Sequence, residues 1–162
     1  MAREPRSGCA INAAVEVLCD AWSLIVLRDI VFGNRRHFRE LLAGNDEGIA
    51  SNILADRLRR LVAEGLLTRG EAARGQRVTY SLTEAGILTV PVMVSLGTWG
   101  MDHRETTPEL SIRARLLAES PQLVADLMDE LRESHLGVPR PHPETPLASD
   151  VLHAAYEAEL GR

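Results

Sequence analysis

Asn52, Asp56 and Arg59 share one side of a helical stretch whose other side is Leu54, Leu58, Leu61 and Gly65. At 100° per residue the second set falls within about 60° of arc and the first stands opposite it. An amide and a guanidinium offered from a helix suit nucleic acid. The amide can bond an adenine edge bidentately, and the guanidinium fits a guanine edge or a phosphate. Asp56 is the exception, because a carboxylate repels phosphate unless it accepts from cytosine or braces a cation such as Arg60 one turn on. Bracing is the preferred reading, and Arg59, two turns into the helix, suits a phosphate better than a base.

Every basic residue of the chain is arginine, 18 in all, and ten of them lie between Arg28 and Arg77 against seven acids. Arg35, Arg36 and Arg39 cluster ahead of the helical stretch, and Arg74, Gln76 and Arg77 follow it. Any one of them alone reads equally well as a solvated surface charge or half of an ion pair. As a set they form a cationic frame around the helix. Arg28 and Arg57 lie nearer the apolar faces and are expected to pair internally, with Asp29 or Asp56.

The remaining reactive groups are sparse. Cys9 and Cys19 are ten positions apart on one predicted helix, too distant for a bond within the chain, and they form neither a disulfide framework nor a zinc spacing. Cys9 opens the helix, an electrostatic setting in which thiols react, and so is a candidate redox sensor; the competing reading is an inert, buried thiol. The five histidines are scattered and none pairs at i, i+4, so no metal is expected. Nucleophile elbows, phosphate loops and metalloprotease motifs are missing from the sequence, and no cofactor or enzymatic activity is predicted.

These groups must be positioned by helices. Ala10 to Cys19 carries Ile11, Ala14, Val15 and Leu18 at helical spacing; Asp20 caps a second helix, 21–32, ended by Gly33. A short helix over 38–43, a turn over 44–48 and a longer helix from Ser51 make a helix-turn-helix pattern. Ser51 is the expected cap of that helix. Leu66–Glu71 and Arg77–Leu82 read as two strands joined by residues 72–76, a hairpin with basic and amide groups at its tip. Thr83 caps the next helix, whose apolar residues from Ile87 to Trp99 run almost all the way round; Pro91 implies a kink or a new start near Val90. Ser120-Pro121 starts another helix that Gly137 ends, 137–146 reads as an extended proline-rich linker, and Ser149 caps a last helix. The fold class is mainly α with a small β-hairpin wing. It comprises a winged helix-turn-helix domain over 9–104 and an acidic helical extension over 105–162.

Net charge is −5 and the isoelectric point about 5.5, which argues against a polyanion partner until the charge is divided. Residues 1–104 hold thirteen arginines and twelve acids, whereas 105–162 hold five and eleven, so the acidity belongs to the extension. With no apolar run near the roughly 18 residues of a membrane span, and a polar start from Met1 to Ser7, a soluble cytoplasmic protein is expected.

The ordered set Cys9, Trp22, Leu24–Asp29, Gly33, Arg36, Phe38, Glu40-Leu41, Gly48-Ile49, Leu54, Arg57-Leu58, Leu61, Gly65-Leu66, Arg69, Tyr80, Leu82-Thr83, Gly86 and Trp99-Gly100 resembles the HxlR family of bacterial winged-helix regulators over about residues 9–104. The resemblance implies a sequence-specific transcriptional regulator acting as a homodimer on a palindromic operator of double-stranded DNA. The helix from Ser51 would enter the major groove and the wing would reach flanking backbone or minor groove. The DNA-facing set is then Arg35, Arg36, Arg39, Ser51, Asn52, Ala55, Asp56, Arg59, Arg60, Arg74, Gln76 and Arg77. The dimer would form through the first helix and the helix after the wing, with Ile11, Val15, Val90, Val94 and Trp99. Some relatives sense oxidants or electrophiles through a cysteine at the position of Cys9. A small-molecule effector is the alternative signal, with Trp22, Met93, Trp99 and Met128 as pocket lining, although such residues are more often core. A winged-helix protein-interaction module that does not bind DNA specifically is the alternative function.

Overall fold

The computed structural model describes residues 6–73 and 75–161. Two compact units divide the chain, the first ending at Gly86 and the second beginning at Ile87. The division falls ahead of the boundary expected near residue 104, so the helix after the wing groups with the C-terminal helices.

The first unit holds α1 (Ala10–Leu18), α2 (Ala21–Gly33), α3 (Phe38–Ala43), α4 (Ser51–Ala63), β1 (Leu67–Arg69) and β2 (Tyr80–Leu82), with α5 (Glu84–Ile87) at the division. None of the nine residues of α1 is buried, and Ile11 is 76% exposed, so most of the apolar spacing read from the sequence lies at the surface, with Leu18 half-buried. In α2 the apolar residues do find a core, with Val26, Leu27, Ile30 and Val31 buried. Asp20 starts α2 as expected, accepting from the Ser23 amide at 3.0 Å. The stop differs from expectation: Gly33 is still helical and Asn34 takes the left-handed conformation at φ 46°, which a short polar side chain tolerates.

Leu41, Ile49, Leu54, Leu58 and Leu61 close the core between α2, α3 and α4. Ala50, in extended conformation, is the residue that precedes α4, and Ser51 is its first helical residue, not its cap. The other end is a Schellman motif. Gly65 adopts φ +75°, its N–H reaches the Val62 carbonyl at 3.1 Å, and the Leu66 N–H reaches the Leu61 carbonyl at 2.9 Å. The chain is thereby turned into the hairpin, in which Leu67, Thr68 and Arg69 face Leu82, Ser81 and Tyr80 in antiparallel register. The strands are shorter than 66–71 and 77–82. Gly70 adds one bond to Thr79 at 2.8 Å, beyond which Glu71 and Arg77 are exposed and have no core to hold a longer ladder. Thr83 ties the hairpin back, donating its hydroxyl to the Gly65 carbonyl at 2.6 Å and accepting from the Gly86 amide at 3.1 Å. A side chain on Gly86 would place Cβ 2.2 Å from the Leu66 carbonyl oxygen, which makes glycine obligatory there.

The second unit holds α6 (Val90–His103), α7 (Pro108–Glu119), α8 (Pro121–Leu136) and α9 (Ala148–Leu160). Pro91 occupies the first turn of a new helix rather than kinking an old one. Ser120 accepts from the Leu123 amide at 3.2 Å to start α8, and Gly137, at φ +70°, ends it. Leu117, Leu127, Met128, Leu131, Ala148 and Leu152 form the core, and Gly97 lets α6 approach α7, its Cβ position lying 2.9 Å from that of Ala114. The segment over 137–146 is tied down rather than free. Arg140, with 13% of its side chain exposed, bonds Glu133 at 3.0 Å and the Pro143 and Thr145 carbonyls at 3.1 and 3.3 Å. Ser149 does not cap α9: Leu147 precedes the helix, and the Ser149 amide donates to the Glu130 carboxylate at 3.0 Å.

Candidate nucleic-acid interface

The two faces of α4 separate as the spacing requires. Leu54, Leu58 and Leu61 are buried, while Ser51, Asn52, Asp56 and Arg59 are exposed and Ala55 is half-buried. The side chain of Arg59 is 78% exposed and pairs with Asp56 at 3.3 Å. Arg39 on α3 and Gln76 and Arg77 in the wing are exposed as well, and Arg69, absent from the expected set, joins them from β1. Arg74 lies outside the described residues.

Three members of the expected set are engaged inside the protein. Arg35 pairs with Asp29 at 3.6 Å and donates to the Gly44 carbonyl. Arg36 donates from Nε to the Tyr80 carbonyl at 3.2 Å and from Nη2 to the Ser81 hydroxyl, and its own carbonyl accepts from the Tyr80 amide at 2.8 Å. With His37 Nδ1 3.0 Å from the Val78 carbonyl, the entry to α3 runs alongside β2 and anchors the wing. Burial pulls the Arg36 guanidinium below its usual range.

Arg60 is the third. It turns away from the exposed face to Asp20, 3.1 Å away, and donates to the Glu16 carbonyl. The expected brace between Asp56 and Arg60 is therefore replaced: Asp56 bonds Arg57 at 2.6 Å and Arg59 at 3.3 Å. Arg57 spans from Asp56 to Asp20, the latter at 2.8 Å. Burial works against the Asp20 carboxylate, but the bonds from Ser23 and the Arg57 and Arg60 guanidiniums outweigh it and hold the group below the usual carboxylate range. The sequence identified Asp20 only as a helix cap; its second role was signalled by Arg57 and Arg60 lying on the flank of α4, between the buried and exposed arcs.

Arg28 is internal as expected, bonded to Asp29 at 2.8 Å and to Glu47 at 2.5 Å. The Glu47 carboxyl is lowered chiefly by that Arg28 contact, and the Arg28 guanidinium is raised by it. Asn45 completes the cluster, donating to Asp29 at 3.2 Å and accepting from the Ile49 amide at 2.9 Å, which sets the turn between α3 and α4.

Of the residues expected at a subunit seam, Ile11, Val15 and Trp99 are exposed and Val94 is half-buried. Val90 is 0% exposed within the single chain and belongs to its core. The outward apolar stripe near α6 is instead Leu88, Val92, Leu96 and Trp99, spaced by four, four and three residues. Trp99 is 52% exposed, so it is not core; Arg104 lies over its ring at 4.8 Å. Met128 is buried, and Trp22 and Met93 are half-buried. Cys9 and Cys19 are free and exposed. A groove of about 600 Å³ beside α1 is lined by Val15, Glu16, Cys19, Asp20, Arg60 and Glu64 among others. Among the described residues no three His, Cys, Asp or Glu side chains converge as metal ligands would, and no single helix is long and apolar enough to cross a membrane.

Residues 17–108 match the HxlR-like helix-turn-helix family. The chain is 32% identical over 141 residues to the uncharacterized HTH-type transcriptional regulator Rv3095 of Mycobacterium tuberculosis, spanning 84% of this chain and 87% of that one. With the uncharacterized HTH-type regulator sll1512 of Synechocystis it shares 35% identity over 98 residues, 60% of this chain and 71% of the other. Among solved structures, that of PA1607, a candidate transcription factor, superposes with a TM-score of 0.56 at 32% identity, covering 64% of this chain and 70% of that one. A transcriptional regulator of the MarR family from Porphyromonas gingivalis shares the winged-helix fold at 24% identity and a TM-score of 0.52, covering 64% and 97%.

Proposed function

Because this chain belongs to the HxlR-like helix-turn-helix family of transcriptional regulators, we propose that it reads double-stranded operator DNA through α4, as a homodimer on a palindromic site. The observation that carries the reading is the exposed face of α4, with Ser51, Asn52 and Arg59 directed outward from a helix whose other face is fixed by three buried leucines. A helix of that kind fits the major groove with its first residues at base edges. Asn52, in the first turn, supplies base readout; Arg59, Arg39 and Arg77 supply phosphate contacts. Arg35, Arg36 and Arg60 serve the reading indirectly, by holding α3, the wing and α4 in place.

Two exposed apolar faces support the homodimer, Ile11 and Val15 on α1 and the stripe from Leu88 to Trp99. A two-fold axis would place two copies of α4 about 34 Å apart, one turn of DNA, on inverted half-sites. Cys9, exposed at the start of α1, would give the dimer a thiol that an oxidant or electrophile can reach.

The test is a gel-shift titration on DNA upstream of the gene, with bulk DNA as competitor and with and without oxidant. Asn52→Ala should lower preferred-site affinity about tenfold and relax preference at one base pair per half-site. Arg59→Ala should weaken binding to all sequences and flatten the salt dependence by about one charge. Binding without preference for any fragment would remove the regulator reading. A Cys9→Ser protein that responds to oxidant as the parent does would remove the thiol. The net charge of −5 favours a second reading, a winged-helix module that binds protein. Binding to DNA that is insensitive to salt, or no binding, would favour that module.

A further inference from the structure

Asp20 occupies the junction between α1 and α2 and makes four contacts with two oxygens. It accepts from the Ser23 amide at 3.0 Å and the Ser23 hydroxyl at 2.5 Å, and it pairs with Arg57 at 2.8 Å and Arg60 at 3.1 Å. The two arginines are three residues apart on one flank of α4. Arg57 extends through its other arm to Asp56 at 2.6 Å, and Asp56 reaches Arg59 at 3.3 Å. Alternating charges thus run without a break from the start of α2 to the exposed face of α4. Arg60 adds a bond to the Glu16 carbonyl on α1.

The leucines beneath α4 and this chain of charges constrain different motions. Aliphatic contact sets how deeply a helix sits, but it is non-directional and resists rotation about the helix axis weakly. Arg60 makes a directional bond to the Asp20 carboxylate and Arg57 adds a close charge contact to the same group, so together they restrict that rotation. A few degrees at the axis move the tip of a long side chain such as Arg59 by a large fraction of an ångström, enough to misalign a base contact made by the same face.

Building on the proposed DNA-reading role of α4, we infer that Asp20 is a positioning residue for DNA recognition: through Arg57 and Arg60 it fixes the rotation of α4, and through Arg57 and Asp56 the direction in which Arg59 leaves it. Removing a carboxylate near DNA would, as a matter of charge alone, tighten binding to every sequence. Loss of positioning acts with the opposite sign, and on the preferred site alone.

Asp20→Asn separates the two, because the amide oxygen still accepts from the Ser23 amide and keeps the α2 cap while the ionic anchor is lost. Arg57→Lys is the companion variant: it keeps net charge, but one ammonium cannot hold Asp20 and Asp56 in two directions. Affinities of the full chain for the preferred upstream fragment and for bulk DNA are measured at several salt concentrations, alongside helical content by circular dichroism. In both variants the ratio of preferred to bulk affinity should fall about tenfold, comparable to one mismatched base pair, while bulk affinity stays level or rises. Arg59→Ala should cost less in the Asp20→Asn background than in the parent. A parental ratio retained in Arg57→Lys, or preferred and bulk affinities that fall together, would overturn the inference. A parent protein with no preferred fragment would overturn the DNA reading itself, and this inference with it.

Discussion

The two units of this chain solve the same problem with different chemistry. In the first, α2, α3, α4 and the wing are cross-linked by arginines that bond backbone carbonyls and carboxylates of distant elements: Arg28 to Glu47, Arg36 to Tyr80, Arg57 and Arg60 to Asp20. In the second, α6 to α9 meet mainly through aliphatic side chains and close glycine–alanine contact; Arg113 over the Tyr156 ring at 4.5 Å and the Ser149 amide on Glu130 add polar links between helices, while Arg140 serves a loop. Directional bonds fix angles, whereas apolar contact fixes separations. The unit whose helix would meet DNA under the proposed function is the one that relies more on directional bonds.

Core truncation should not distinguish the units, and it is the largest effect expected. Leu58→Ala in α4 and Leu127→Ala in α8 should each cost about 2–5 kcal/mol, seen as loss of denaturation midpoint without change of slope. A clear asymmetry between them would break the comparison. Next, Arg36→Ala should cost about 1–3 kcal/mol, because it leaves the Tyr80 carbonyl and Ser81 hydroxyl short of a donor, and it should loosen the wing in hydrogen exchange. A stable variant with a protected hairpin would show that the arginine bonds are incidental.

Acid sharpens the contrast further. The folded-state values of Asp20 and Glu47 lie below their ordinary values of 3.8 and 4.5. Their contribution is therefore complete above those values and is lost as pH falls below them. A melting temperature followed from neutral pH downward should hold and then decline through that range. Asp20→Asn should remove part of the decline. The smallest effect belongs to Arg140→Ala in the second unit, about 1 kcal/mol or less, with proteolysis near residues 137–146 rising while α8 and α9 remain protected.

Much of this was legible in the sequence because it depends on period and punctuation. The α3–turn–α4 succession, the inward leucines at 54, 58 and 61, the hairpin, the fresh start at Val90 and the capped start of α8 all follow from local pattern. What the pattern did not reveal depends on contacts between distant residues. Arg36 and Tyr80 are 44 positions apart, so nothing local marks Arg36 as the anchor of the wing. Asp56 had two arginines besides Arg60 within one turn, and the choice among them was made by Asp20, 40 positions from Arg60 in the chain. Val90 fell in an apolar run with no polar arc to mark its outside, so the exposed stripe could be assigned only with the helix in place. Gly33 hides Asn34 in the sequence, because glycine is the commoner helix stop.

The unburied α1 has a consequence for time as well as for shape. A nine-residue helix in water is marginal by itself, since nucleation costs more than so few turns return. Under the proposed dimer, its amides would open and close on their own clock in dilute solution and fall into step with the rest of the first unit once a second copy covers Ile11 and Val15. The order of that segment, and with it the accessibility of the Cys9 thiol, would then follow the abundance of the protein, making the helix a gauge of how many copies are present.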